Sequence, residues 1–176
     1  MEAVKQKFGE QILKDIISQM TPKAQKIFNG TILTSAWYPL EDFLEFARVD
    51  IKLTAKGNEN ELITRSENLI EKELTGIYKM FVKLGSPKFV FNRLSAIHKS
   101  YFKGVDASVE MSEDKDRAVV KYSGFDNKHR LIAPSIIGFY RKALEISGGK
   151  NVNAKVLTAI EENKGYLSIE VTWTGK

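Results

Sequence analysis

Residues 105–124 read VDASVEMSEDKDRAVVKYSG, and within them the spacing of apolar residues changes from helical to alternating. Ala107, Val109 and Met111 alternate with Ser108 and Glu110, Glu113-Asp114-Lys115-Asp116 supplies a turn, and Ala118–Tyr122 returns in the same rhythm. Successive side chains of a strand point to opposite faces, so this pattern predicts a hairpin with one buried face. Downstream, Leu131, Ile132, Ile136, Ile137, Tyr140, Ala143 and Leu144 fall at helical spacing until Gly148-Gly149 stops them. Val152–Ala159 and Tyr166–Trp173 then read as a second hairpin across residues 161–165. Strand, strand, helix, strand, strand is most simply one four-stranded antiparallel sheet with a helix on one face, an α+β fold of ββαββ order.

The chain before residue 105 reads as helices. Ala3, Val4, Phe8, Ile12, Ile16 and Met20 form one amphipathic stripe, and Thr21-Pro22 starts a short helix that runs to Phe28. Ile32–Trp37 is β-branched and aromatic enough to be extended. Pro39 opens a helix whose buried face would be Leu40, Phe43, Leu44, Ala47 and Ile51. From Glu61 to Leu84 the apolar spacing suits one long helix or two, closed by Gly85; Ser86-Pro87 starts the next, which carries Phe91, Leu94, Ile97, His98, Tyr101 and Phe102 on a broad face up to Gly104. The expected organisation is a single domain over residues 1–176, with a mainly helical part over 1–104 and the ββαββ part over 105–176.

Composition narrows the function classes. With 43% hydrophobic and 28% charged residues the chain belongs among globular proteins, not disordered ones. No uninterrupted apolar run suits a signal peptide or a membrane span, so the expectation is a cytoplasmic protein. The absence of cysteine removes disulfides, thiol nucleophiles and thiolate metal sites together. No G-x-S-x-G elbow and no phosphate-binding loop is present, and the only histidines are His98 and His129. The sequence therefore favours a non-catalytic role.

In this order the elements resemble a known group. A helical N-terminal part, a helix carrying Leu94-Ser95-Ala96-Ile97-His98-Lys99-Ser100-Tyr101, and a ββαββ half are similar to the haem nitric-oxide/oxygen-binding domains and the 4-vinyl-reductase-like small-molecule-binding domains. Within that superfamily the chain most resembles an uncharacterised family of small proteins described in myxobacteria. The likeness rests on Trp37-Tyr38-Pro39-Leu40-Glu41-Asp42-Phe43, on Gly76-Ile77-Tyr78 with Gly85-Ser86-Pro87, on Gly138-Phe139 and on Ile169-Glu170-Val171-Thr172-Trp173. It implies a small-molecule-binding or sensory module that pairs with a second copy through its helical face.

In the gas-sensing relatives a helix histidine ligates iron, and a Tyr-x-Ser-x-Arg motif on the next hairpin holds the haem propionates through charge-assisted hydrogen bonds. By resemblance His98 takes the ligand position. The matching hairpin, however, reads Tyr122-Ser123-Gly124-Phe125-Asp126, with an acidic residue where a cation is needed. A carboxylate there repels propionates, so the sequence disfavours haem and leaves the ligand unnamed. Where vinyl-reductase-like relatives carry cysteines around the last hairpin, this chain has Ala159, Glu161, Glu162 and Ser168, which removes a metal role by analogy. The ligand-binding candidates are His98, Leu94, Phe91, Phe102, Tyr122 and Phe139, around a cavity for a small apolar molecule. Phe89, Tyr101, Tyr140 and Trp173 are further wall residues, although aromatics at such spacing are first of all core.

Charge offers a second reading. Between Leu74 and Val105 six basic residues (Lys79, Lys83, Lys88, Arg93, Lys99, Lys103) meet no acidic one, in a chain of net charge +5. Lys79 and Lys83, and Lys99 and Lys103, are each one helical turn apart and make a candidate anion-binding ridge. Arginine is sparse beside lysine, which argues against nucleic acid. The alternative function is thus an interaction or scaffold module that works through this ridge without a bound ligand.

Overall fold

The computed structural model describes residues 1–33, 35–75, 86–113 and 116–175, with the side chains of residues 74, 75 and 94–96 left aside. Their contacts divide the chain into two compact units, Met1–Glu61 and Leu62–Lys176. The change of period at residue 105 marks where strands begin; the division between units falls earlier, so the helices after Glu61 belong with the sheet.

The first unit is helical. The single stripe expected over residues 3–20 is two helices, α1 (Glu2–Phe8) and α2 (Glu10–Ser18). Gly9 between them sits at φ +91°, a backbone state that costs glycine little and other residues more. Helix α3 (Pro22–Phe28) starts as the sequence predicts, with the Thr21 hydroxyl accepting from the Ala24 N–H. Val4, Leu13, Ile16, Met20, Phe28 and Phe46 are part of its core, and Phe28 stacks on Phe46 at 5.0 Å. Helix α4 (Leu40–Thr54) presents a different face from the one expected: Leu44, Ala47 and Ile51 are buried, but Phe43 is exposed, and Phe46 and Val49 are buried instead. No strand forms at residues 31–33 or 35–37, where Ile32, Leu33 and Trp37 are exposed. Strand propensity without a neighbouring strand supplies no ladder hydrogen bonds, which is why composition misled there.

In the second unit, helices α5 (Glu61–Thr75) and α6 (Pro87–Tyr101) precede strands β1 (Asp106–Met111) and β2 (Arg117–Ser123). Helix α7 (Ile132–Ile146) and strands β3 (Lys150–Thr158) and β4 (Tyr166–Thr174) complete it. Ser86 occupies the N-cap position of α6, but its side chain makes no capping bond. The expected passage through Gly76, Ile77, Tyr78, Phe81, Leu84 and Gly85 lies outside the described residues, as do Asp114 and Lys115 of the first turn.

The α+β reading holds. The four strands form one antiparallel sheet in the order β1-β2-β4-β3. Ala118, Val120 and Tyr122 on β2 and Leu167, Ile169, Val171 and Trp173 on β4 are buried, the alternate positions that the period-two pattern assigned to one face. Burying one such aliphatic side chain stabilises by about 1.5–3 kcal/mol. On the other face Glu170 accepts from Arg117 at 2.6 Å and pairs with Lys155 at 2.9 Å, which ties β2, β4 and β3 together. Helix α7 crosses α5 closely at Gly138, where an added Cβ would overlap the Ile63 carbonyl oxygen; the Ser66 hydroxyl donates to the Ser135 carbonyl beside it. No helix among the described residues is long and apolar enough to cross a membrane.

Candidate functional site

A file of aromatic rings runs through the second unit. Trp173 stacks on Phe91 at 5.4 Å, and Phe91 stacks on Tyr140 at 5.6 Å. The Tyr140 and Tyr122 hydroxyls meet at 2.6 Å, and the Tyr122 ring lies 4.9 Å from His98. Phe102 packs on His98 at 4.8 Å, with Phe125 edge-on to Phe102 at 5.5 Å. The placement follows from local periods. Phe91 and His98 are seven residues apart on α6 and so share a face; Tyr122 continues the inward alternation of Ala118 and Val120; Tyr140 lies one turn from both Ile136 and Leu144 on α7.

Two polar features stand out in this interior. His98 is only 4% exposed, and its Nε2 has no hydrogen-bond partner among the described residues. Burial pushes the imidazole below its ordinary pKa, while a hydrogen bond to the Val105 backbone and the charge of Asp106 pull the other way. A neutral imidazole keeps the lone pair that a donor or a metal ion needs. The second feature is the tyrosine pair. Burial raises the pKa of both Tyr122 and Tyr140, so both hydroxyls stay protonated at neutral pH. One donates and the other accepts, which leaves one O–H over. The interior thus holds one acceptor and one donor that the described side chains do not use.

The remaining candidates spread out. Phe139 is half-buried and edge-on to Tyr140 at 5.3 Å, and Phe102 is half-buried beside His98. Tyr101 does not line the interior: it is exposed, and its hydroxyl donates to Glu73 at 2.9 Å. Phe91, Tyr140 and Trp173 fill space as a stack. The Leu94 side chain, Lys79 and Lys83 lie outside what is described; Lys99 and Lys103 are exposed, with Lys103 beyond the end of α6. No group of three metal-ligating side chains gathers among the described residues.

Sequence reasoning missed Phe125, buried against Phe102 and Tyr122, and missed the backbone of Gly104 and Val105 as a partner of the site. The signal was the glycine pair. Gly104 and Gly124 both have positive φ, and a Cβ on Gly124 would overlap the Gly104 carbonyl oxygen. The two loops therefore approach closely through their backbones.

No protein-family model and no curated protein matches the chain. Solved structures do. An H-NOX protein of Shewanella oneidensis in the Fe(II)NO state superposes with a TM-score of 0.74 at 9% identity, over 99% of this chain and 94% of that one. The Fe(II) unliganded H-NOX protein of K. algicida gives 0.71 at 15% identity, over 99% and 92%. An oxygen-binding H-NOX domain related to soluble guanylate cyclases gives 0.70 at 10%, over 99% and 90%. The fold is that of the H-NOX domains. At these identities the likeness concerns the fold and leaves the ligand open.

The H-NOX fold raises haem, and the residues answer in two parts. The unpartnered imidazole nitrogen of His98 is a group that would hold the iron of a haem. The sequence resemblance would place the propionate clamp at Tyr122, Gly124 and Asp126. At the position of its serine stands Gly124, whose side-chain space is taken by the Gly104 carbonyl. At the position of its arginine stands Asp126, whose carboxylate accepts from the Lys128 N–H at 2.9 Å and caps the turn at Asn127–His129.

Proposed function

We propose that this chain is a non-catalytic sensory module that binds a small molecule against His98 in the aromatic interior of its second unit. The observation that carries this reading is the buried Nε2 with no partner. Leaving a buried polar atom unsatisfied costs about 1–3 kcal/mol, and a ligand that meets it recovers that cost. The spare tyrosine O–H in the same ring cluster supports a ligand with both a donor and an acceptor, or a metal centre carrying an acceptor. Haem is the first ligand to test, because the structural neighbours include Fe(II), Fe(II)NO and oxygen forms of H-NOX proteins. Any haem held here would be bound through His98 and apolar contact, without the arginine clamp. Membership of the small-protein family described in myxobacteria, and pairing with a second copy, belong to the same reading and rest on the sequence motifs.

Titration of the purified protein with haem, alongside native mass spectrometry of the protein as isolated, tests it. A Soret band lost in His98→Ala, or an organic ligand released on denaturation from the wild type and missing from His98→Ala, is the expected result. A colourless protein without ligand overturns the reading and favours the alternative, an interaction module. The exposed Lys88, Arg93, Lys99 and Lys103 around α6 support that alternative.

A further inference from the structure

The strongest unabsorbed feature is a cleft of about 410 Å3 on the second unit, between the turn after Phe125 and the β3–β4 loop. Phe125, Asp126, Lys128, Ile160, Asn163 and Tyr166 are among its walls. Its volume lies in the range of small-molecule sites, roughly 300–1,000 Å3. What makes it informative is its inner wall. Phe125 faces this cleft and also packs on Phe102 and Tyr122, at 5.5 and 6.0 Å. Those are the two rings that lie on His98. Two tiers of aromatic side chains, Phe125 and then Phe102 with Tyr122, therefore separate the cleft from the imidazole.

We infer that this cleft is the vestibule of the His98 site, and that a small uncharged molecule reaches Nε2 by displacing the Phe125 ring and passing between Phe102 and Tyr122. The inference rests on the small-molecule reading of His98 given above and adds the route and the ligand class.

The backbone around Phe125 suits a hinged ring. Gly124 on one side is locked against Gly104 and Val105 at φ +106°, and Asp126 on the other is fixed by three bonds within the turn. Its carboxylate accepts from the Lys128 N–H, its own N–H donates to His129 Nδ1 at 3.1 Å, and its carbonyl accepts from the His129 N–H at 2.8 Å. With both neighbours held, the side chain can change rotamer without the loop moving. The ligand class follows from charge. Asp126 and Lys128 at the mouth form a loose pair at 3.9 Å and oppose each other's field. Further in, the described side chains on the path are the rings of Phe102, Tyr122 and His98, among which an ion would lose its hydration.

Diethyl pyrocarbonate tests the route without knowledge of the ligand, because it acylates the unprotonated nitrogen of histidine. Peptide mass mapping reads acylation at His98 separately from His129, which leaves the bond from the Asp126 N–H to His129 intact. Phe125→Ala should speed acylation of His98 several-fold, and Phe125→Trp should slow it. Phe91→Ala, which loosens the far end of the ring file, should leave the rate near that of the parent. Equal rates in all variants, or equal acceleration by Phe91→Ala and Phe125→Ala, overturn the route. Failure of the haem titration and of native mass spectrometry to find any ligand would sink the functional reading instead, whatever the acylation rates.

Discussion

The two ends of the ring file differ in one respect. At the Trp173 end, Phe91 stacks on Trp173 and Tyr140, no buried side-chain polar atom described there is without a partner, and the packing reads as ordinary core. At the His98 end the same kind of aromatic wall surrounds a nitrogen with no partner. Similar shape and composition thus serve two purposes, and unmet hydrogen bonding, not the presence of aromatics, tells them apart.

The contrast can be broken most forcefully at its dry end. Phe91→Ala removes a ring packed against two others and should cost about 3–5 kcal/mol of folding stability in urea unfolding, a loss that no His98 ligand would fully restore. Between the two ends, Tyr140→Phe strands the Tyr122 hydroxyl and should cost about 1–3 kcal/mol, whereas the double variant with Tyr122→Phe should lie much closer to wild type. A double-mutant cycle reads this directly, and additive losses would mean that the 2.6 Å contact contributes nothing. At the His98 end the effect is a slope. The ordinary histidine pKa is 6.5 and burial lowers it in the fold, so the unfolded chain binds more protons just below that pH. The contribution of neutral His98 is therefore complete above pH 6.5 and declines as pH falls below it. Stability measured from pH 7.5 to 5 should drop less steeply in His98→Phe than in wild type. The smallest effect belongs to the surface: Lys99→Glu with Lys103→Glu should change stability by about 0.5 kcal/mol or less and leave ligand content unaltered. A loss of ligand there would move the site out of the interior.

Much of this was legible from residue order. The ββαββ half follows from period-two and period-3.6 runs bounded by turns, and its strand ends fall within one or two residues of those read from sequence. His98 and Tyr122 were readable as inward-facing for the same reason. What could not be read depends on which surfaces meet. The face of α4 is set by Phe28 stacking on Phe46, so Phe43 is left outside despite its apolar character. Phe125 follows a glycine in a loop and has no periodicity to betray it. The break at Gly9 hides inside a continuous apolar stripe, because the stripe records burial and not backbone angle.

Glu170 carries a consequence for how the chain reaches this state. It lies opposite Lys155 and Val119 across the two ladders, between the buried Ile169 and Val171. A slip of β4 by one residue would drive its carboxylate into the apolar layer and set Ile169 among Arg117 and Lys155. The shared carboxylate therefore marks the one alignment of β4 in which the rings of Phe91 and Trp173 meet.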